Sequence, residues 1–371
     1  MKVVLAPDGF GGTLSAAAAA AAMADGWRRR APGDDLRLVP LSDGGPGMVE
    51  VLLTALPDAQ LVPVQVEDPL ARPVTAAVLL DGTTAYVESA QACGLHLLAP
   101  DERDPLVTTT YGVGQLLAAA LDAGATRIVV GLGGSATNDG GAGMLAALGL
   151  GRVDAAGARL PWGGAALARC DRLVGEVDPR VAAVELVAAT DVDARLLGLR
   201  GASALFGPQK GASPEDVALL EGALTRWADV LEGALGTRVR DRSGAGAAGG
   251  LGAALMALGA RREPGIALVR ELVGLDAHLA GADLVLTGEG AFDVTSLAGK
   301  VVHGVALAAA TEAVPVVVLA GSVELGRREV AAAGVEAAYA LADLVGLEAA
   351  LADPAGSVAA VAERIAGQWS R

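Results

Sequence analysis

The residues best suited to chemistry form a glycine-rich segment, Gly131-Leu-Gly-Gly-Ser-Ala-Thr-Asn-Asp-Gly-Gly-Ala-Gly143, which directly follows a strand-like run over residues 126–130. Glycines let the backbone approach a ligand closely, and unpaired amides at the start of a following helix attract negative charge. The alternative is a tight turn between strand and helix that binds nothing, since short motifs carry false positives. The segment predicts a phosphate site with these cofactor-binding candidates: Gly133, Gly134, Ser135, Asn138 and Asp139.

Carboxylates follow several of the predicted strands, each beside a glycine or a turn. In open α/β sheets ligands bind at the carboxyl ends of the strands, so these acids could converge on one cleft. Any single one could instead cap a helix. Together with an anion site they favour Mg²⁺-assisted phosphoryl transfer, because carboxylates hold Mg²⁺ and can accept a hydroxyl proton. The acids are Asp8, Asp43, Asp139, Asp191 with Asp193, and Glu289 with Asp293.

Lysine is rare in this chain, with three among 28 basic residues. Two of the three, Lys210 and Lys300, lie beside glycine, where a compact charge could touch a phosphate. Chance retention on a solvated surface is the alternative. The chain has no P-loop, because Gly299-Lys300 is followed by two valines, and residues 131–135 lack the third glycine of a GxGxxG dinucleotide motif.

Composition restricts the class of protein. A length of 371 residues suggests two domains, and the formal charge of −15 argues against binding to nucleic acid. No apolar run reaches the roughly 18 residues of a membrane helix, and no targeting segment is recognised at the N-terminus, so we expect a cytoplasmic protein that does not interact with membranes. Cys93 and Cys170 fit no disulfide framework, and the three histidines share no zinc spacing.

The pattern of elements predicts an α/β fold. The chain begins with a βαβ pattern: a strand over 2–6, a helix over 14–30 and a strand over 36–41. The same pattern returns near the C-terminus, with strands over 283–287 and 315–320. Between them, β runs over 61–66, 74–80 and 84–88 indicate an antiparallel insertion. The Gly/Ala-rich stretch over 243–250 is too apolar for an ordinary flexible linker, so we expect it to pack backbone closely or to approach a ligand. Asp353-Pro354 predicts a break in the helical C-terminal region. The sequence predicts a Rossmann-like or flavodoxin-like parallel-sheet domain from residues 1–60 and 282–371. An inserted mixed α/β domain over 61–281 would carry the glycine-rich loop.

The chain resembles the bacterial type I glycerate kinases over nearly its whole length. The blocks that carry the resemblance occur in the family's order: 6–8, 43–45, 103–109, 131–143, 206–213, 244–250 and 287–290. The resemblance implies a two-domain kinase that uses ATP and Mg²⁺ to phosphorylate D-glycerate, with 2-phosphoglycerate as the product. The oligomeric state stays open.

We assign roles to these residues as expectations. The catalytic candidates are Asp8, Asp43, Asp191 and Lys210; Glu289 and Lys300 join the cofactor-binding set, and Asp191 with Glu289 are the candidate metal ligands. Asp8 or Asp43 would orient or deprotonate the substrate hydroxyl. Thr108 and Thr109 would contact substrate or, as we prefer, cap the helix at Tyr111.

The chain departs from many relatives in loops expected to face the substrate. It has Gly9 and Gly11 where they carry Ser and Lys, Pro46 and Met48 where they carry Glu and Thr, and Ala291 where they carry Arg. Two cationic groups and one carboxylate are therefore missing. A kinase for another small hydroxy acid, or a nucleotide-binding homologue without catalysis, are the alternatives.

Overall fold

Strands and helices alternate along most of the chain in the computed structural model, which describes residues 1–370. The strands are β1 (Lys2–Pro7), β2 (Asp35–Leu38), β3 (Gln60–Glu67), β4 (Pro73–Asp81), β5 (Thr84–Glu88), β6 (Arg127–Gly131), β7 (Leu150–Val153), β8 (Arg172–Gly175), β9 (Glu185–Ala189), β10 (Arg261–Glu263), β11 (Leu284–Phe292), β12 (Val316–Val323) and β13 (Ala337–Ala340).

The helices are α1 (Ala16–Arg30), α2 (Met48–Ala55), α3 (Ala90–Cys93), α4 (Tyr111–Asp122), α5 (Ala142–Ala147), α6 (Ala202–Phe206), α7 (Pro214–Leu235), α8 (Ala247–Ala257), α9 (Gly265–Leu272), α10 (Leu275–Leu279), α11 (Val301–Thr311), α12 (Arg327–Ala332), α13 (Leu341–Leu344), α14 (Leu347–Ala352) and α15 (Pro354–Trp369). The predicted break at Asp353-Pro354 is present, because Asp353 caps α15 and Pro354 occupies its first turn.

The chain forms two compact units, as the α/β prediction expected. The first unit contains Met1–Asp43, Glu50–Leu56 and the described residues from Pro264 onward; the second contains Gly44–Val49 and Pro57–Glu263. The predicted boundaries lay at 60/61 and 281/282. The second boundary differs from the observed one because α9 and α10 pack on α11 of the first unit, where Ile266 lies against Gly304. Near the first boundary, the second unit includes Gly44–Val49 and resumes at Pro57.

The sheet of the first unit is fully parallel and has the strand order β13-β12-β11-β1-β2. Alternate residues of its strands, such as Val3 and Leu5, pack with α1 and α15 in one core. From β1 the chain continues to β2 on one side, and from β11 it continues to β12 on the other. The neighbouring strands β1 and β11 therefore form a topological switch point, the position at which such sheets bind ligands.

The larger sheet of the second unit is mixed, with the order β10-β9-β6-β5-β4-β3, and β7 and β8 form a separate antiparallel pair. Strands β3, β4 and β5 are antiparallel, as predicted, whereas β5, β6, β9 and β10 run parallel. The parallel strands end together at Glu88, Gly131, Ala189 and Glu263. This edge carries the glycine-rich loop and the start of the segment that leads to Asp191.

The predicted strand near Asp283–Thr287 is longer than expected. Strand β11 continues through Gly288-Glu289-Gly290 to Phe292 and stays paired with β12. A Cβ at Gly288 would collide with the carbonyl of Leu319, so glycine permits the close strand packing here. Glu289 is thus a strand residue, and the expectation that it lies in a loop is wrong.

The Gly/Ala-rich stretch over 243–250 was expected to pack backbone closely or to approach a ligand. In the structure a Cβ at Gly249 would overlap the carbonyl of Thr137, and one at Gly246 would overlap that of Arg195. Close backbone packing therefore explains these glycines. In the described part of the chain, no helix is long and apolar enough to cross a membrane.

Candidate functional site

The first unit brings three of the predicted acids together at its switch point. Asp8 directly follows β1, and its amide donates to the carbonyl of Gly288 on β11 at 2.8 Å. The parallel register, which pairs Pro7 with Gly288, therefore sets Asp8 beside Glu289. The chain after β2 stays alongside β1, where the amide of Leu41 donates to Pro7, and Asp43 follows two residues later.

The carboxyl groups of this cluster influence one another's protonation. Burial and the nearby charges of Asp43 and Glu289 raise the pKa of Asp8 well above its usual range, although its bond from the Gly9 amide opposes the shift. Burial raises the pKa of Glu289 to about 7. The positive charge of Lys300 lowers both pKa values but does not outweigh burial. Burial is thus the main cause of the raised pKa of both Asp8 and Glu289.

One carboxylate oxygen of Glu289 accepts no hydrogen bond from the described part of the protein. Its side chain is 5% exposed, and Oε1 has no hydrogen-bond partner within the described residues. An unpaired acceptor at this depth costs free energy unless a ligand, ion or water satisfies it. Oε1 of Glu289 is therefore an acceptor that a ligand, an ion or a water molecule can use.

Two turns surround this cluster in the first unit. Gly11 and Gly12 have left-handed φ values of 54° and 82°, and a Cβ at Gly290 would lie 2.9 Å from the Gly11 amide nitrogen. The left-handed φ at position 11 therefore suits glycine in this loop conformation. Asp293 accepts from the amide and hydroxyl of Thr295, so it stabilises its own turn. Lys300 follows Gly299, whose φ is 105°, at the start of α11.

The glycine-rich loop of the second unit does not offer the helix amides that the sequence predicted. The carboxylate of Asp139 accepts from the amides of Gly141 and Gly143, both at 3.1 Å, and from Thr110. The amide of Met144 donates to the Thr110 hydroxyl. Because Asp139 is 1% exposed and caps α5, the expectation of unpaired helix amides is wrong, and this carboxylate has a structural function.

The amides available to an anion lie earlier in the loop. Those of Gly133 and Gly134 have no partner in the described chain, and Gly134 is exposed. The glycines also serve packing: a Cβ at Gly133 would lie 2.6 Å from Gly45 Cα, and one at Gly134 would lie 2.6 Å from Pro46 Cγ. This loop thus packs closely on residues 45–46 and also has two backbone amides that are free to donate to an anion.

Lys210 lies inside the second unit and does not contact solvent. It is 2% exposed, and its Nζ donates to Ser135 Oγ at 2.9 Å and to the Thr137 carbonyl at 2.6 Å. Burial lowers its pKa to about 8, an effect that the charge of Asp139 partly offsets. Lys210 therefore holds the glycine-rich loop in place from behind.

The other predicted residues of the second unit lie near this network. Asn138 is fully buried; its Nδ2 donates to Ser203 Oγ at 3.0 Å, while its Oδ1 has no partner in the described structure. Thr108 donates to the Ala136 carbonyl, and Thr109 accepts from the amide of Tyr111, so both act within the protein. Asp191, which follows β9, is partly exposed at the same sheet edge as Gly131.

The predicted metal ligands divide between the units, since Asp191 belongs to the second and Glu289 to the first. Within residues 1–370, no group of three or more His, Cys, Asp or Glu side chains is arranged to hold a metal ion. Any Mg²⁺ would therefore need oxygen atoms from a ligand or from water as well, which is usual for this ion.

Sequence reasoning missed Glu88, which ends β5 and is 5% exposed. Its Oε2 accepts from the amides of Gly47 and Val49, at 3.1 and 3.2 Å. The signal that identified the other acids, a carboxylate at the end of a buried strand, was present here too. Because the sequence predicts an antiparallel insertion here, it does not indicate that this strand end joins the parallel edge.

A unit whose parallel sheet has acids at its switch point, and a second unit whose mixed sheet carries a glycine-rich loop, are typical of α/β enzymes that bind small charged ligands. The sequence profile described as "Glycerate kinase family" matches residues 3–370. The glycerate kinase of Bacillus subtilis is 45% identical over 345 residues, covering 92% of this chain and 90% of that protein. The glycerate 2-kinase of Escherichia coli is 43% identical over 350 residues, covering 93% and 92%.

A solved structure supports the same relationship. The crystal structure assigned to glycerate kinase 2 of Salmonella typhimurium LT2 matches with a TM-score of 0.79 and 42% identity, covering 99% of this chain and 98% of that one. The chain therefore belongs to the glycerate kinase family. It is an enzyme of the kinase class, as the resemblance implied.

Proposed function

We propose that this protein phosphorylates D-glycerate with ATP and Mg²⁺, giving 2-phosphoglycerate. The observation that supports it best is the cluster of Asp8, Asp43 and Glu289 with Lys300 at the switch point of the first unit. Such a cluster provides a proton acceptor and a positive charge for a small hydroxy acid. The family relationship supplies the phosphoryl-transfer chemistry.

The acceptor hydroxyl reacts at the γ-phosphorus of ATP, so one P–O bond forms to the substrate while the P–O bond to ADP breaks. The hydroxyl proton goes to a carboxylate. Asp8 suits this step because burial raises its pKa, which makes its ionised form a stronger base than an ordinary carboxylate. Asp43, whose charge acts on Asp8, orients the hydroxyl.

The carboxylate of glycerate needs a cationic partner. Lys210 is buried with its Nζ bonded to Ser135 and Thr137, so we assign this role to Lys300. The charge of Lys300 acts on Asp8, Glu289 and Asp293, which indicates that it lies on the side of the reacting groups.

The phosphates of ATP bind the loop of the second unit through the open amides of Gly133 and Gly134. Ser135 and Asn138 belong to the same segment and remain predicted cofactor-binding residues. Lys210 acts on the phosphates indirectly, by fixing Ser135 and the Thr137 carbonyl.

Mg²⁺ fits the donor chemistry of the first unit, because the unpaired Oε1 of Glu289 is a hard oxygen ligand. Glu289 would hold the ion, with Asp8 or Asp43 and ligand oxygens completing its shell, and Asp191 stays a predicted ligand. When bound, the ion would neutralise charge on the transferring phosphoryl group.

Asp43→Asn tests the proposed role of the cluster. The neutral amide cannot orient the hydroxyl by its charge, so we expect kcat to fall by about 10²- to 10⁴-fold. ADP release with ATP, Mg²⁺ and D-glycerate measures the rate, and the melting temperature should stay close to that of the wild type. Wild-type turnover in Asp43→Asn would remove this residue from the mechanism.

The substrate itself needs a second measurement. A panel of D-glycerate, L-glycerate and related hydroxy acids, with ³¹P NMR of the product, identifies the acceptor and the phosphorylated carbon. Ala291 and the left-handed Gly11 leave both positions without the charged side chains that many relatives carry. Turnover of another hydroxy acid in place of D-glycerate would therefore favour that alternative.

A further inference from the structure

The segment Gly44–Val49 belongs to the second unit, although it directly follows Asp43 of the first. It contains a turn in which Gly44 and Gly47 have left-handed φ values of 90° and 91°, and it ends in the first residues of α2. The position of Asp43 therefore depends on how this segment is held. A group that fixes the segment therefore influences the backbone position of Asp43, which is bonded to its first residue, Gly44.

Glu88 holds this segment from one side. Its register partner at the edge of the sheet is Gly131, and its carboxylate is almost fully buried. One oxygen, Oε2, accepts from two successive parts of the segment, the amides of Gly47 and Val49. Hydrogen bonds to an ionised acceptor are stronger than neutral ones, and the positive end of α2 favours the negative charge.

The glycine-rich loop holds the segment from the other side. Gly131 is so close to the carbonyl of Gly44 that a Cβ would overlap it, and the same atom would lie 2.8 Å from Met48 Sδ. Gly133 and Gly134 make the contacts to Gly45 and Pro46 described above. The segment is therefore held on one side by two hydrogen bonds to Glu88 and on the other by close backbone contacts to the loop after β6.

We propose that Glu88 is a positioning residue for the reaction, which acts by fixing Gly44–Val49 and thereby the placement of Asp43. This inference rests on the proposed role of Asp43. Misplacement of a reacting group by about 1 Å can lower a rate by about 10²-fold, so loss of the two amide bonds should affect kcat more than substrate affinity.

Glu88→Gln is the test variant, because it keeps the shape of the side chain but removes its charge and turns half of it into a donor. We expect kcat to fall by about 10- to 100-fold. KM for ATP and for D-glycerate should change less than about threefold, since Glu88 is placed behind the segment. Hydrogen exchange at residues 47–49 should become faster.

Asp68→Asn is the matched control. Asp68 is also 5% exposed, and its Oδ1 accepts from the amides of Leu70 and Arg72 at 2.8 and 2.9 Å, in the turn between β3 and β4. The substitution removes a comparable buried carboxylate from the same unit. It should lower the melting temperature without the kcat loss of Glu88→Gln.

A double-mutant cycle with Asp43→Asn decides how Glu88 acts. If Glu88 works through Asp43, Glu88→Gln adds little further loss to Asp43→Asn. An equal fold-loss in both backgrounds, or an unchanged kcat with only a lower melting temperature, would overturn the inference. Full turnover in Asp43→Asn alone would instead reject the proposed function of Asp43. If Glu88→Gln does not fold, Glu88→Asp carries the same cycle, because it keeps the charge and moves the oxygen.

Discussion

Asp8 and Asp139 differ in their hydrogen-bond surroundings, although both follow buried strands in the sequence. Asp139 is enclosed by amides and hydroxyls of its own unit, which satisfy it completely as a helix cap. Asp8 accepts one local amide bond, and burial together with the charges of Asp43 and Glu289 raises its pKa. The number of donors around each carboxylate therefore distinguishes Asp139, which caps a helix, from Asp8, for which we propose a role in the reaction.

Glu289 gives a residue-scale prediction about pH. Because its pKa is raised from 4.5 to about 7, the folded protein keeps this proton to higher pH than the unfolded chain does. The stability that this provides is complete below pH 4.5 and is lost as pH rises to about 7. Glu289→Gln cannot ionise, so its free energy of unfolding relative to the wild type should rise across this window, by on the order of 3 kcal/mol at most.

Denaturant unfolding of metal-free protein between pH 4.5 and 8 measures this effect. Glu312→Gln, at an exposed position of the same unit, is the control and should show no such rise. A difference between Glu289→Gln and the wild type that does not vary with pH would contradict a raised pKa at Glu289.

At the scale of elements, glycine positions decide how closely loops and strands pack. Gly288 lets β11 continue beside β12, and Gly131, Gly133 and Gly134 let the segment Gly44–Val49 lie on the loop after β6. The sequence suggested that glycines in the latter loop serve a ligand. In the structure they serve first the approach of another part of the backbone.

Gly134→Ala tests this packing. The residue has a φ of 62° and its new Cβ would lie 2.6 Å from Pro46 Cγ, so strain and overlap should together destabilise the fold by about 2–4 kcal/mol. Thermal and denaturant unfolding measure the loss. Gly236→Ala is the control, because Gly236 has a φ of 65° with open space around it, and it should lose only about 1 kcal/mol. Equal losses would show that the Pro46 contact is unimportant.

For the whole molecule, we propose that the second unit binds the nucleotide and that the first unit binds D-glycerate. Hydrogen-exchange mass spectrometry of the full chain can test it with Mg²⁺ and ADP alone, and with D-glycerate alone. We expect ADP to protect peptides covering residues 132–137, because open amides there would bind phosphate. D-glycerate should protect residues 8–12 and 289–293. The reverse pattern would contradict the assignment of ligands.

The sequence predicted most elements of the fold because their signals are local. The strands over 61–66, 74–80 and 84–88 and the break at Pro354 follow from alternation and turn residues, and the structure has them. The extension of β11 was not predictable, because a Gly-Glu-Gly run resembles a loop until its pairing with β12 is known. The division at Pro264 depends on the packing of Ile266 on Gly304, which is likewise not local.

By itself, the sequence determined the α/β class, the family and the acids at strand ends, because these depend on residue types and on order along the chain. Only the tertiary structure decided what each polar group faces. It grouped Asp8 with Glu289 through the register of β1 and β11, and it enclosed Lys210 behind Ser135. It also placed Glu88 under the segment after Asp43. Such neighbours come from distant parts of the chain, and their burial sets the charges and hydrogen bonds on which the chemistry depends.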